Sequence, residues 1–245
     1  MKRLYEKSQL TFSIVWIVAY CVLMSVGDSL SAEVGINSII SLPVAFIMSG
    51  ILLLFIKKYG LSKKYGLCKP EVSAKEMLYY IPLALLLLAN VMFGVKLNVT
   101  VGEAVIYMLT MLCVGLLEEI IFRGMLFKAM AENGLRSAIA VSSITFGIGH
   151  IINLFNGSGA ELLPNLLQVV YAVAAGFMFV MIFLKSGSLI PCIILHGVFN
   201  ALSVFADETA LTVRGQIISC IFLVAVSGFY GGYLALRMKK KSKKE

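Results

Sequence analysis

Two adjacent carboxylates and a guanidinium, Glu118, Glu119 and Arg123, interrupt a stretch whose preceding residues 105–117 carry no ionised side chain. The chain has two histidines, His150 and His196, and each falls in a further apolar stretch; Asn200 follows the second by four residues. A charged side chain at the centre of a bilayer costs about 2.5–3.5 kcal/mol on insertion scales, so such groups face a protein interior and act there. A carboxylate in a low-dielectric cavity serves as a general base toward water. A neighbouring imidazole can orient that water, and a second imidazole with an amide can donate to an oxyanion. This is an inventory for hydrolysing an amide inside a membrane. Neither a G-x-S-x-G elbow with a Ser/His/Asp order nor an H-E-x-x-H motif is present.

The elements that must carry these residues follow from composition. The 245 residues are 60% hydrophobic and 14% charged, with a mean hydropathy of +0.93; a soluble domain is nearer one quarter charged. The chain reads as an all-α polytopic membrane protein, one transmembrane domain over 1–245. Stretches of about 20 apolar residues predict eight spans, near 10–27, 38–57, 77–96, 101–132, 135–152, 163–185, 188–206 and 214–236. The first follows Lys2, Arg3 and Lys7 and reads as a retained span, since no small-x-small cleavage site follows it.

With eight spans, the basic residues before the first, those at 57–75 between the second and third, Arg136, Lys185 and the tail 237–245 share one side. Asp28, Glu33, Glu103, Glu161, Asp207 and Glu208 take the other, with Lys96 and Arg214 against the trend. Both termini are therefore expected to be cytoplasmic. The net charge of +8 reads as topology signal and as contact of the tail and of 57–75 with anionic lipids, not as a nucleic-acid surface. The five scattered cysteines form no C-x-x-C pair and read as small buried hydrophobes. Ser73-Ala74-Lys75-Glu76 matches a capping box and predicts a short helix before Pro82.

Helical spacing sets the polar residues in relation. Glu119 and Arg123 are four apart and predict an ion pair on one face, while Glu118 points about 100° away and is left to face a cavity. A rise of 1.5 Å per residue puts Glu118 about 21 Å from a helix end at Asn133-Gly134 and His150 about 22 Å from Leu135, hence level on antiparallel neighbours. Counted from Lys185, His196 is about 16 Å and Asn200 about 22 Å deep, on one face. Gly147 and Gly149 predict close helix approach. Taken singly, Glu119–Arg123 reads as a structural ion pair, a transmembrane histidine or Asn200 as interhelical glue, and Phe146 as packing. Glu118 has no cation one turn away on its own helix, and both histidines match its depth; together they read as a site.

The three motifs in this order, Glu118-Glu119-Ile120-Ile121-Phe122-Arg123, Phe146 to His150, and His196 to Asn200 with its lead-in Gly187-Ser188-Leu189-Ile190-Pro191, resemble the CPBP family. These are the CAAX proteases and bacteriocin-processing enzymes, also called Abi, related to type II CAAX prenyl endopeptidases. The resemblance covers 115–202, which it marks as the catalytic core. It implies an eight-helix intramembrane endopeptidase in which Glu118 activates water with His150, His196 and Asn200 stabilise the oxyanion, and Glu119 and Arg123 support the site. The family has been viewed both as metalloproteases and as glutamate-dependent proteases. Glu118, His150 and His196 could bind zinc, but their spacing is not that of a helix-borne zinc motif, so metal-independent hydrolysis is the expectation.

The short basic chain looks bacterial, integral to the plasma membrane, and the expected substrate is a membrane-embedded or lipidated peptide or protein. Two other classes compete. One is a non-catalytic membrane scaffold or bacteriocin immunity protein that keeps an inherited site. The other is a transporter relaying protons through Glu118, His150 and His196; no inverted repeat supports it.

Overall fold

Lys2–Lys7 (α1) runs into Gln9–Val34 (α2) through Ser8, whose hydroxyl accepts from the Thr11 amide at 3.1 Å, satisfying one of the orphan donors at a helix start. The computed structural model describes residues 1–78, 80–156, 159–207 and 209–241. Glu208 and the tail residues 242–245, parts of the charge pattern above, lie outside the described residues. Ser41–Lys58 (α3) is followed by a loop and by Ala74–Met77 (α4). The predicted capping box starts α4: the Glu76 amide donates to Ser73 Oγ and the Ser73 amide to Glu76 Oε2, both at 3.2 Å.

Tyr80–Val91 (α5) leads to Val101–Glu118 (α6), which opens on a second capping box made by Thr100 and Glu103. The helix continues through a π-helical stretch, Glu119–Phe127, into Lys128–Ala131 (α7). Leu135–Gly149 (α8) ends in a 3₁₀ turn, His150–Leu154; Leu162–Ser186 (α9), Ile190–Leu202 (α10) and Val213–Lys241 (α11) complete the chain. Among the described residues the only β pairing is an isolated bridge between Val95 and Ala206.

Six of the predicted spans are helices long and apolar enough to cross a membrane: Gln9–Val34, Ser41–Lys58, Val101–Ala131, Leu135–Leu154, Leu162–Ser186 and Val213–Lys239. The stretches 77–96 and 188–206 form shorter helices. At 12 and 13 residues, α5 and α10 reach about 18 and 20 Å, short of a hydrocarbon core of about 30 Å. Their ends are tied together. Asn90 Nδ2 donates to the Phe199 carbonyl at 2.8 Å, and the Lys96 amide donates to the Phe205 carbonyl at 3.0 Å beside the Val95–Ala206 bridge. The irregular backbone beyond the two helices thus finds its partners in protein.

The polarity is inside-out. Phe46, Leu54, Ile221 and Phe229 are exposed, whereas Glu119 and Arg123 are fully buried. Lipid offers such apolar side chains no reason to hide, so small residues and polar contacts fix the helix packing. In α2 the buried Phe12, Trp16, Tyr20 and Met24 recur every four residues along one face. The π stretch and α9 both feed the core, the first with Ile120, Ile121 and Phe122 and the second with Met178 to Phe183.

Candidate active site

The carboxylates sit where the helix widens. Sequence reasoning treated 101–132 as a uniform α-helix; instead α6 ends at Glu118 and the π-helical stretch begins at Glu119. Widening frees carbonyls from the usual ladder, and π segments concentrate at functional sites. Within this stretch the Phe122 carbonyl accepts from Ser142 Oγ on α8 at 2.9 Å. The i,i+4 pair survives the widening: Arg123 Nη1 is 3.1 Å from Glu119 Oε1, and both side chains are fully buried. The guanidinium also lies 3.9 Å from the centre of the Phe146 ring and 5.2 Å from that of Phe179, within cation–π range. Gly176 leaves the space for it: a methyl group there would stand 3.2 Å from Arg123 Nη2 and 3.0 Å from the Ser143 Cα.

His196 reaches this pair because α10 crosses α6 at bare backbone. A methyl group on Gly115 would lie 2.7 Å from both the Gly197 Cα and N, so α6 tolerates no side chain at the crossing. His196 Nδ1 is 2.9 Å from Glu119 Oε1, and its Nε2 is 3.4 Å from Glu118 Oε2. Glu119 beside Arg123 is an acceptor, so Nδ1 carries the hydrogen and donates. The neutral ring then turns an Nε2 lone pair toward Glu118, and the protonated ring an N–H. The imidazole is clamped from both sides, stacked on Phe179 with centroids 5.4 Å apart and met edge-on by Phe146 at 5.6 Å.

His150 begins the 3₁₀ turn after α8. Its carbonyl accepts from Asn165 Nδ2 on α9 at 2.8 Å, which holds the switch from α to 3₁₀ in place. Its ring meets the Phe146 ring edge-on at 5.4 Å. Phe146, read from the sequence as packing, therefore touches Arg123 and both imidazoles. Its spacing of four residues before His150 was the available signal. Of the two glycines expected to permit close approach, Gly147 does so: a methyl group there would stand 2.8 Å from the Val173 amide nitrogen. Gly149 has nothing within 4 Å of the corresponding position. One residue of helix separates a packed face from an open one.

A cavity of about 700 Å³ is lined by Glu118, His150, His196 and Asn200 together. Its wall also includes Tyr20 on α2, whose phenol donates to Glu118 Oε1 at 2.8 Å. Sequence reasoning passed over Tyr20, which lies 98 residues from its partner; a phenol inside an apolar span needs a hydrogen-bond acceptor and was the hint. Glu118 Oε2 is buried and has no hydrogen-bond partner among the described residues; the His196 Nε2 lies 3.4 Å away, a charge contact in the protonated form of the ring. The cavity continues past Asp28, Asn153 and Asn156 toward the loop after His150. Asn156 Nδ2 donates to Asp28 Oδ2 at 3.1 Å, and Ser29 Oγ donates to the Asn156 carbonyl at 2.9 Å. Residues 157 and 158 of that loop lie outside the described residues.

Among the described residues, no group of three or more His, Cys, Asp and Glu side chains is gathered so as to hold an ion. Glu118, His150 and His196 line one cavity without forming such a group, and His196 Nδ1 is already engaged by Glu119.

Residues 100–202 match the model of a family described as type II CAAX prenyl endopeptidase Rce1-like. That segment holds both carboxylates, Arg123, both histidines and Asn200. Neither the curated proteins nor the solved structures give a match.

Proposed function

Because residues 100–202 carry an Rce1-like type II CAAX prenyl endopeptidase domain, we propose that this multi-pass membrane protein is an intramembrane endopeptidase whose general base is Glu118. The observation that carries the reading is Glu118 Oε2, which has no hydrogen-bond partner among the described residues and is buried at the wall of a cavity that His150, His196 and Asn200 also line.

In the proposed reaction a water in the cavity is oriented by His150 and gives a proton to Glu118 Oε2 as its oxygen bonds to the scissile carbonyl carbon. The carbonyl oxygen becomes an oxyanion, stabilised by the Asn200 amide and by the Nε2–H of His196. The donor form at Nε2 is the imidazolium, since the Nδ1 proton already bonds to Glu119. Collapse of the tetrahedral intermediate breaks the C–N bond, and the leaving amine takes the proton from Glu118. Glu119 and Arg123 hold His196 and the fold around it. No step is routed through a metal, in keeping with a donor set that is not gathered for one.

The substrate is proposed to be a membrane-embedded or lipidated peptide or protein, because the cavity that holds Glu118 lies among helices whose outer faces are apolar. The Lys and Arg distribution supports cytoplasmic termini, with the tail and 57–75 against anionic lipid. A short basic chain fits a bacterial plasma membrane.

The test is cleavage by purified protein in micelles of membrane-spanning and lipidated peptides, with and without chelator. Release of a new amino terminus supports the reading. Absence of product from every substrate contradicts it, and chelator-sensitive activity restored by zinc overturns the metal-free part.

A further inference from the structure

Glu118 has two oxygens in different surroundings. Oε1 accepts the Tyr20 hydroxyl at 2.8 Å, while Oε2 has no hydrogen-bond partner among the described residues and lies 3.4 Å from His196 Nε2. Tyr20 is held where it is by its own helix. It is the one hydroxyl-bearing side chain in the stripe Phe12, Trp16, Tyr20, Met24, which is otherwise apolar and packs into the core. Farther along, α2 is tied to the segment after His150 through Asp28 and Ser29 on Asn156. The phenol thus sits on a helix anchored at both sides of the cavity, and that helix lies outside the matched segment 100–202.

We propose that Tyr20 is a positioning residue for the hydrolysis: by engaging Oε1 it fixes the rotation of the Glu118 carboxylate and leaves Oε2 as the oxygen that meets water. This rests on the endopeptidase reading above. A carboxylate free to turn about its last bond would present either oxygen to the cavity and be correctly placed only part of the time. The hydrogen bond to a charged acceptor removes that freedom. The reacting constellation is then completed by α2 and is not contained in 100–202.

The test is Tyr20→Phe in purified full-length protein, which keeps the buried ring and removes only the hydroxyl. With a membrane-spanning peptide substrate, kcat is expected to fall about 10- to 100-fold, the order of cost for a misplaced reacting group, while KM stays at its wild-type value and kcat falls by more than any change in Tm accounts for. Unchanged kcat overturns the proposal. A raised KM at constant kcat also overturns it, by making Tyr20 a substrate contact, and so does a fall in kcat matched by a fall in Tm, by making it structural. A second measurement does not need turnover. With ¹³C-carboxyl glutamate incorporated, the infrared carboxylate band that disappears in Glu118→Gln is expected to shift in Tyr20→Phe, and a band that stays in place removes the hydrogen bond on which the proposal stands. If the wild-type protein cleaves nothing, the endopeptidase reading fails, and the infrared result alone decides whether Tyr20 holds Glu118.

Discussion

His196 Nδ1 and Glu119 Oε1 are 2.9 Å apart, and the same carboxylate oxygen lies 3.1 Å from Arg123 Nη1. An ion pair that could have been purely structural is therefore wired to an imidazole at the cavity wall. Glu119 fixes which ring nitrogen carries the hydrogen, and Arg123 keeps Glu119 an acceptor.

Glu119→Gln follows from this directly. The change leaves Arg123 buried without its counter-charge, and breaking one side of a buried pair costs about 3–5 kcal/mol. The variant is expected to lose most of its thermal stability and all detectable cleavage. Restoration of stability by a second change, Arg123→Met, without return of cleavage is the expected signature of a residue that serves both fold and ring. Glu119→Gln at wild-type Tm contradicts the account.

The crossing at Gly115 and Gly197 makes a sharper prediction about geometry. A methyl group at Gly115 meets the Gly197 backbone at 2.7 Å, a distance that real side chains do not adopt, so α6 and α10 must separate. Gly115→Ala is expected to reduce kcat by more than about tenfold, since His196 then moves relative to Glu118 and small misplacements are costly. Gly149→Ala is the control: with open space around it, cleavage and Tm should stay at wild-type values. Equal effects of the two changes would remove the crossing as the device that places His196.

Phe146 joins the guanidinium to both imidazoles. Phe146→Leu keeps apolar volume and removes the ring face and edges. A desolvated cation–π contact is worth about 2 kcal/mol, and edge-to-face pairs about 0.5–1.5 kcal/mol each. Denaturation of the variant in micelles should show a loss of that order, with kcat falling more than KM rises. A rise in KM alone would make Phe146 a substrate contact.

Ser142 is the support of the widened turn. Its hydroxyl donates to the Phe122 carbonyl at 2.9 Å, and Ser142→Ala leaves a buried acceptor without that bond, at a cost of about 1–3 kcal/mol. Hydrogen exchange is expected to quicken in 119–127 and to stay unchanged in α3; uniform protection across both would contradict a local role.

How far the sequence carried the account can be traced through individual residues. Glu118, His150, His196 and Asn200 stood out because polar groups in apolar spans are expensive, and a fixed rise per residue placed them at one depth; all four line one cavity. The Ser73–Glu76 cap was legible because it is local. Long-range register was not. That His196 falls between two carboxylates depends on Gly115 meeting Gly197, and a single chain does not reveal which glycines face each other. Tyr20 was hidden for the same reason, its acceptor being on a helix far along the chain. The π-helical stretch was missed because hydrophobic spacing does not distinguish one extra residue in a turn when every neighbour is apolar. The sequence does not show that α5 and α10 are shorter than the stretches that contain them, because hydropathy runs on through residues 92–96 and 203–206, where the two segments pair beyond the ends of those helices.

The central claim is that the Glu118 carboxylate takes a proton from water. It is tested most directly by the single-turnover rate of Glu118→Gln against wild type on a membrane-spanning peptide, with folding checked by Tm. An isosteric amide cannot act as the base, so product formation should fall by at least about 10²-fold in a protein that still folds. A Glu118→Gln protein that cleaves at the wild-type rate would contradict the account.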